Sequence, residues 1–117
     1  MTERPVGGAS RRALDALVRH VAEVSVEAVC RLVGNRIDAM SVCEARGYIR
    51  ARASMEIRRQ TRVACAHLSG VDAARQLLIV QRATERVTPQ VLRHLASGRA
   101  RHAHVRSFAP ATVRRAA

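Results

Sequence analysis

Hydrophobic residues recur at intervals of three and four along most of residues 11 to 98, which is the spacing of one side of an α-helix. The spacing is regular between Arg11 and Val33, so we predict a first helix there, capped by Ser10 and ended by Gly34. Its apolar positions are Leu14, Leu17, Val18, Val21, Val24, Ala28, Val29 and Leu32. No stretch alternates as a half-buried strand would, and the chain is therefore predicted to be all-helical.

A second and longer helix is predicted over residues Ser41 to Leu68. Ser41 and Glu44 have the spacing of a capping box, in which each side chain bonds a backbone N–H at the helix start, and Gly70 supplies the end. To its buried side we assign Val42, Ala45, Ile49, Ala53, Ile57, Val63, Ala64 and Leu68. Another side carries the small residues Gly47, Ala51 and Ser54, which favour close approach of another backbone. The alternative is that Gly47 is simply tolerated within the helix, at a cost of about 1 kcal/mol against alanine.

The apolar run from Leu77 to Val80 predicts a third helix, capped by Asp72 and extending from Ala73 to about Arg86. Because this run is apolar around most of the helix, we expect the third helix to be buried. Thr88 and Pro89 have the residue types preferred at a helix cap and first position, which predicts a short fourth helix over residues 89 to 97. From residue 99 the pattern is lost, and residues 99 to 117 are predicted to form a disordered basic tail.

These elements predict an all-α helical bundle in which two long helices form a hairpin, with a buried third helix, a short fourth helix and a basic C-terminal tail. The helical domain covers residues 10 to 98 and follows a flexible lead, residues 1 to 9. The two long helices offer more apolar surface than a short third helix can cover, so we expect a homodimer or a higher homo-oligomer. A self-contained antiparallel bundle is the alternative.

The chain is strongly basic, with a formal net charge of +12 and an isoelectric point near 11.7. All 21 basic residues are arginine. Residues 41 to 70 carry +4 of the net charge and residues 99 to 117 carry +5. Small proteins of this charge most often bind polyanions, nucleic acid first and anionic membrane surfaces second.

Tyr48 and Phe108 are the only aromatic residues, so the chain offers little surface on which bases could stack. Our leading hypothesis is therefore a non-catalytic protein that binds DNA or RNA through phosphate contacts, with little base preference and steep salt dependence. The arginines expected to make these contacts are Arg46, Arg50, Arg58, Arg59, Arg62, Arg99, Arg101, Arg106, Arg114 and Arg115.

Two other hypotheses remain open at the level of sequence. The long amphipathic helices also suit a structural or adaptor protein that assembles with itself or binds an acidic protein partner, with arginines as interface anchors. Residues Val80 to Leu95 have some features of a helix-turn-helix, with a turn at Val87 to Gln90. Arg82 and Arg86 argue against that motif, because they stand where it requires a small residue and a glycine.

Catalytic and metal-binding motifs are not found in the sequence. Cys65 and His67 are two residues apart, so on a helix they point in nearly opposite directions, and His102 and His104 lie in the predicted tail. There is no nucleophile elbow and no glycine-rich phosphate loop, and we expect neither enzymatic activity nor a cofactor. Three cysteines without a C-x-x-C spacing, and no signal peptide or membrane span, favour the cytoplasm.

Overall fold

The computed structural model describes the backbone of residues 3 to 116 and the side chains of residues 11 to 98. Within that part of the chain all regular structure is helical, and it consists of α1 (Glu3–Val33), α2 (Val42–Cys65) and α3 (Ala73–Ala116). Each helix packs against both of the others. The all-α prediction is confirmed, and α1 begins earlier than expected, within residues that we had assigned to the flexible lead.

The C-terminal end of α1 and the N-terminal end of α2 are set by local sequence as predicted, whereas α2 ends at Cys65 and not at Leu68. α1 stops at Gly34, whose positive φ of 55° is a conformation that favours glycine, and whose N–H bonds the carbonyl of Cys30 at 2.9 Å. The capping box of α2 is present: the amide of Glu44 donates to the Ser41 hydroxyl, and the Ser41 amide donates to the Glu44 carboxylate at 2.9 Å. The short connection returns α2 against α1.

The connection between α2 and α3 uses the predicted glycine and aspartate. Gly70 has a positive φ of 85°. Asp72 caps α3, because its carboxylate accepts a hydrogen bond from the amide of Arg75 at 2.9 Å. The guanidinium of Arg75 donates to the carbonyl of Gly70 at 3.0 Å and fastens the turn.

The core is built from aliphatic residues of all three helices. In α2 the buried positions recur at every fourth residue, and we call this set the buried row: Ala45, Ile49, Ala53, Ile57, Thr61 and Cys65. α1 contributes valines such as Val21, Val29 and Val33, and α3 contributes Ile79, Val87 and Val91, all fully buried. This aliphatic core holds the three helices in one bundle.

Part of the predicted buried side of α2 is wrong. Val42, Val63 and Leu68 are 71%, 62% and 47% exposed. Thr61 and Glu56, which we did not assign to the core, are buried. The physical reason is that a spacing of four residues advances by about 40° per step around an ideal helix. The buried surface therefore winds around α2 and does not stay on one fixed side.

α3 continues through Thr88 and Pro89, where we predicted a break. Proline has no N–H to give to the carbonyl of Glu85, four residues earlier. The neighbouring turn is supported by two buried hydroxyls: Thr84 donates to the Val80 carbonyl at 2.6 Å, and Thr88 donates to the Thr84 carbonyl at 2.8 Å. Neither bond reaches the Glu85 carbonyl, so we attribute the tolerance of the proline to the packing of Val87 and Val91, which lie on either side of it and are fully buried.

The continuity of α3 has three consequences for the predictions. Residues 89 to 97 belong to α3, so a separate fourth helix is not confirmed. The helix-turn-helix interpretation is wrong, because its proposed turn is helical. α3 extends to Ala116, so a disordered tail from residue 99 is not confirmed either.

Candidate polyanion-binding site

Four arginines of α2 form a ridge directly beside the buried row. Arg46, Arg50, Arg58 and Arg62 each follow a buried residue by one position, and Ser54 occupies the remaining place in the same four-residue spacing. We call this set, with Ser54, the arginine ridge. All four arginines are exposed. Successive places are separated by a rise of about 6 Å, so the ridge extends for about 24 Å along α2.

The ridge arginines have no carboxylate partner among the side chains that the structure describes. Both acidic residues of α2 are engaged elsewhere, Glu44 in the capping box and Glu56 with Arg59 and Gln60. Four positive charges are therefore placed on one helix without internal compensation. Such an arrangement attracts anions, and its attraction is weakened by salt.

Arg59, which we predicted to contact phosphate with the ridge arginines, lies in a different row of α2. Its guanidinium makes two hydrogen bonds to Glu56, at 3.4 and 2.9 Å. Glu56 is buried, 8% exposed, and also accepts a hydrogen bond from Gln60 at 2.8 Å. The pKa of Glu56 is lowered, mainly by the hydrogen bond from Arg59. Burial of the carboxylate acts in the opposite direction and raises the pKa. The hydrogen bond from Gln60 and the charges of Arg59 and Arg31 lower the pKa further.

Tyr48 organises a second basic cluster that sequence reasoning missed. The Arg52 Nε donates to its hydroxyl at 3.3 Å, and the Arg52 guanidinium stands 5.3 Å from the ring centroid. Arg36, from the α1–α2 connection, reaches the same oxygen at 3.5 Å. The hydrogen bond from Arg52 is the main cause of the lowered pKa of Tyr48. The signal in the sequence was the spacing of four between Tyr48 and Arg52, which brings them together on a helix.

The small residues of α2 line a groove between α2 and α3, with a volume of about 600 Å³. Gly47, Ala51 and Ser54 form its α2 side, with Arg50 and Arg58 at the edge. A Cβ added to Gly47 would meet nothing within 4 Å, so the close backbone neighbour that we predicted is not present within the described part of the chain. We call this feature the α2–α3 groove.

Two arginines outside α2 are paired with carboxylates, one of them between helices. Arg82 of α3 pairs with Asp15 of α1 at 3.6 Å, and Arg31 pairs with Glu27 at 3.8 Å. The predicted contact residues Arg99, Arg101, Arg106, Arg114 and Arg115 lie outside the residues whose side chains are described. The ridge is therefore the part of the predicted site that the structure brings together.

Metal chemistry has no support in residues 11 to 98, where no three histidine, cysteine or acidic side chains come together to hold an ion. Among the described residues, none of the three helices contains an apolar stretch of the length and hydropathy that a membrane span requires. Comparison with protein-family models, with curated proteins and with solved structures found no match to this chain.

Proposed function

We propose that the protein binds nucleic acid, non-catalytically, through phosphate contacts made by the arginine ridge. The observation that carries this proposal is the uncompensated ridge itself: Arg46, Arg50, Arg58 and Arg62 are exposed, regularly spaced and without a carboxylate partner among the described side chains. Guanidinium groups bind phosphate through two parallel hydrogen bonds, and arginines without a carboxylate partner are available to make them.

Contacts to the phosphates of a nucleic acid carry no information about its base sequence. The guanidinium of Arg52 lies 5.3 Å from the ring centroid of the one tyrosine, Tyr48, and so competes with a base for one face of that ring. Affinity should come from the release of counterions. The logarithm of the binding constant should then fall linearly with the logarithm of the salt concentration, by about 0.9 per phosphate contacted in duplex DNA and about 0.7 in single strands. The C-terminal arginines would add to the same interaction, and deletion of residues 99 to 117 removes five of them.

The test compares two variants with equal net charge. The ridge variant changes Arg46, Arg50, Arg58 and Arg62 to glutamine, and the control changes the exposed Arg11, Arg12, Arg19 and Arg31 of α1 to glutamine. Binding to labelled duplex and single-stranded oligonucleotides is measured by fluorescence anisotropy over a salt series. We expect the ridge variant to reduce the salt slope by about two to four and the control by less than one.

The proposal fails if the wild-type chain shows no affinity for either form of nucleic acid in 50 mM salt, or if the two variants bind equally well. The alternative is a structural or adaptor protein, and mass in solution at low and high salt separates the two. A salt-resistant oligomer without bound nucleic acid favours assembly. The ratio of absorbance at 260 and 280 nm detects copurified nucleic acid well, because the chain has one tyrosine and no tryptophan.

A further inference from the structure

The α2–α3 groove has the composition of a helix-docking surface. Its α2 side consists of the small residues Gly47 and Ala51, and above Gly47 there is open space. On the α3 side lies Leu77, which is 53% exposed although it is a large aliphatic residue. Small residues facing an exposed leucine allow another helix to approach closely and to bury apolar surface.

The edges of the groove specify the charge of an occupant. Arg50 and Arg58 flank the α2 side and have no carboxylate partner among the described side chains. They are eight residues apart, about 12 Å along α2. Two carboxylates on one flank of a docked helix, seven or eight residues apart, match this distance. Glu85, on the α3 side, would face the opposite flank and disfavours acidic residues there.

Charge disfavours the occupants that this chain itself could supply. A second copy also has a net charge of +12, so its approach to the ridge is opposed by like charge. The segment of residues 99 to 117 carries five arginines and no acidic residue. Residues 1 to 10 contain one glutamate and one arginine. The two terminal segments contain no pair of carboxylates. In a second copy, Asp15 and Glu23 of α1 are eight residues apart, but Asp15 already pairs with Arg82 of α3 at 3.6 Å.

We propose that the α2–α3 groove binds an amphipathic helix of a different protein, with a small or apolar stripe and carboxylates along one flank. Because the same Arg50 and Arg58 belong to the arginine ridge, this helix masks half of its four arginines. Docking does not depend on the proposed function, whereas the regulatory consequence, displacement of nucleic acid by the acidic helix, rests on it.

The probe is a synthetic acetylated 21-residue peptide with an alanine and leucine stripe and glutamates seven or eight residues apart on one flank. A control peptide has the same composition and charge, with its glutamates moved opposite the stripe. We expect the control to bind the full chain about tenfold more weakly, which corresponds to about 1.4 kcal/mol. Equal binding of the two peptides overturns the docking proposal, because charge alone would then explain the affinity.

A protein variant tests the groove independently of the ridge. Gly47→Leu with Ala51→Leu fills the groove and leaves every arginine in place; circular dichroism confirms its helicity. We expect this variant to lose peptide affinity about tenfold or more and to keep its nucleic-acid affinity within about twofold. Unchanged peptide binding overturns the proposal. Gly47→Ala, which adds a single carbon, is the milder form of the same variant and should weaken binding less.

Competition tests the masking of the ridge. The acidic peptide should displace a labelled oligonucleotide from the wild-type chain and fail to displace it from the filled-groove variant. Simultaneous binding of peptide and oligonucleotide overturns masking. Peptide binding by a chain that has no affinity for nucleic acid would leave docking established and refute the proposed function, so the two failures are distinguishable.

Discussion

Arg59 Nη2 lies 2.9 Å from Glu56 Oε2, and this contact removes one arginine of α2 from the surface available to a polyanion. The carboxylate is buried against the bundle, while the Arg59 side chain remains 60% exposed. Glu56 stays ionised there because it accepts hydrogen bonds from both Arg59 and Gln60. The pair thus serves the fold, in contrast to the ridge arginines on the same helix.

The Glu56–Arg59 contact makes stability depend on pH in a defined direction. The pKa of Glu56 is lowered from its usual 4.5 in the folded chain. Its contribution is therefore complete above pH 4.5 and is lost as the pH falls through the lower folded value. We expect Glu56→Gln to reduce the free energy of unfolding by about 1 kcal/mol at pH 7, allowing for the exposure of Arg59. Urea denaturation should show this difference shrinking toward pH 3.

Glu27→Gln is the matched control, because Glu27 pairs with Arg31 at 3.8 Å and both side chains are largely exposed. Its effect should stay below about 0.5 kcal/mol at either pH. A Glu56→Gln penalty that is equally large at pH 3 and pH 7 would contradict an ionised Glu56 in the native state.

Two neighbouring positions of α2 should respond very differently to truncation. Ile57 belongs to the buried row and is fully buried, so Ile57→Ala leaves a cavity and should cost about 3 kcal/mol. Met55 is 65% exposed, and Met55→Ala should change stability by less than about 0.5 kcal/mol. Denaturation followed by circular dichroism measures both. Similar losses of stability at the two positions would contradict the burial of Ile57 and the exposure of Met55.

Thr61 is a buried position where the natural side chain is not the most stabilising one. Its hydroxyl, like that of Ser25, finds no hydrogen-bond partner among the described residues. Thr61→Val keeps the shape and removes the unsatisfied oxygen, and we expect a gain of about 1 kcal/mol. Thr84→Val is the control, because the Thr84 hydroxyl donates to the Val80 carbonyl, and it should show no gain in melting temperature. A gain at Thr84 as large as at Thr61 would refute this explanation.

Replacing glycine by alanine should change the stability of the fold in opposite directions at two sites. Gly34 has a φ of 55°, where a Cβ is strained, so Gly34→Ala should cost about 1 kcal/mol. Gly47 lies within α2, where an added Cβ meets nothing within 4 Å, and Gly47→Ala should stabilise by up to about 1 kcal/mol. Thermal denaturation of the two variants checks both signs. A loss at Gly47 would indicate that the open groove is required for the fold.

Local signals allowed the end of α1 and the starts of α2 and α3 to be predicted from the sequence. Ser41 with Glu44, Gly34 and Asp72 each act through the backbone within a few residues, so their effects do not depend on the rest of the fold. The continuity of α3 could not be predicted in this way. Thr88 and Pro89 have the preferred types for a helix start, and the burial of Val87 and Val91 in the core outweighs that preference.

The candidate site was predicted in composition and not in arrangement. The concentration of arginine in α2 was visible from charge alone, but partner choice was not: Arg59 is taken by Glu56, whereas Arg58, the residue beside it, is not. Assigning the core to one fixed side of α2 also hid the fact that the ridge follows the buried row. Which arginines are free depends on where α2 contacts α1 and α3, and that information is not local.

The winding of the ridge has a consequence for the shape of what it can hold. Each step of four residues turns by about 40°, so Arg46 and Arg62 point about 160° apart around α2. A flat anionic surface such as a lipid bilayer can touch only neighbouring members at one time. A polymer that bends around the helix can reach all four in succession. The ridge thus fits a polyanion that wraps around α2 better than it fits a flat anionic surface. Net charge alone does not distinguish these two partners.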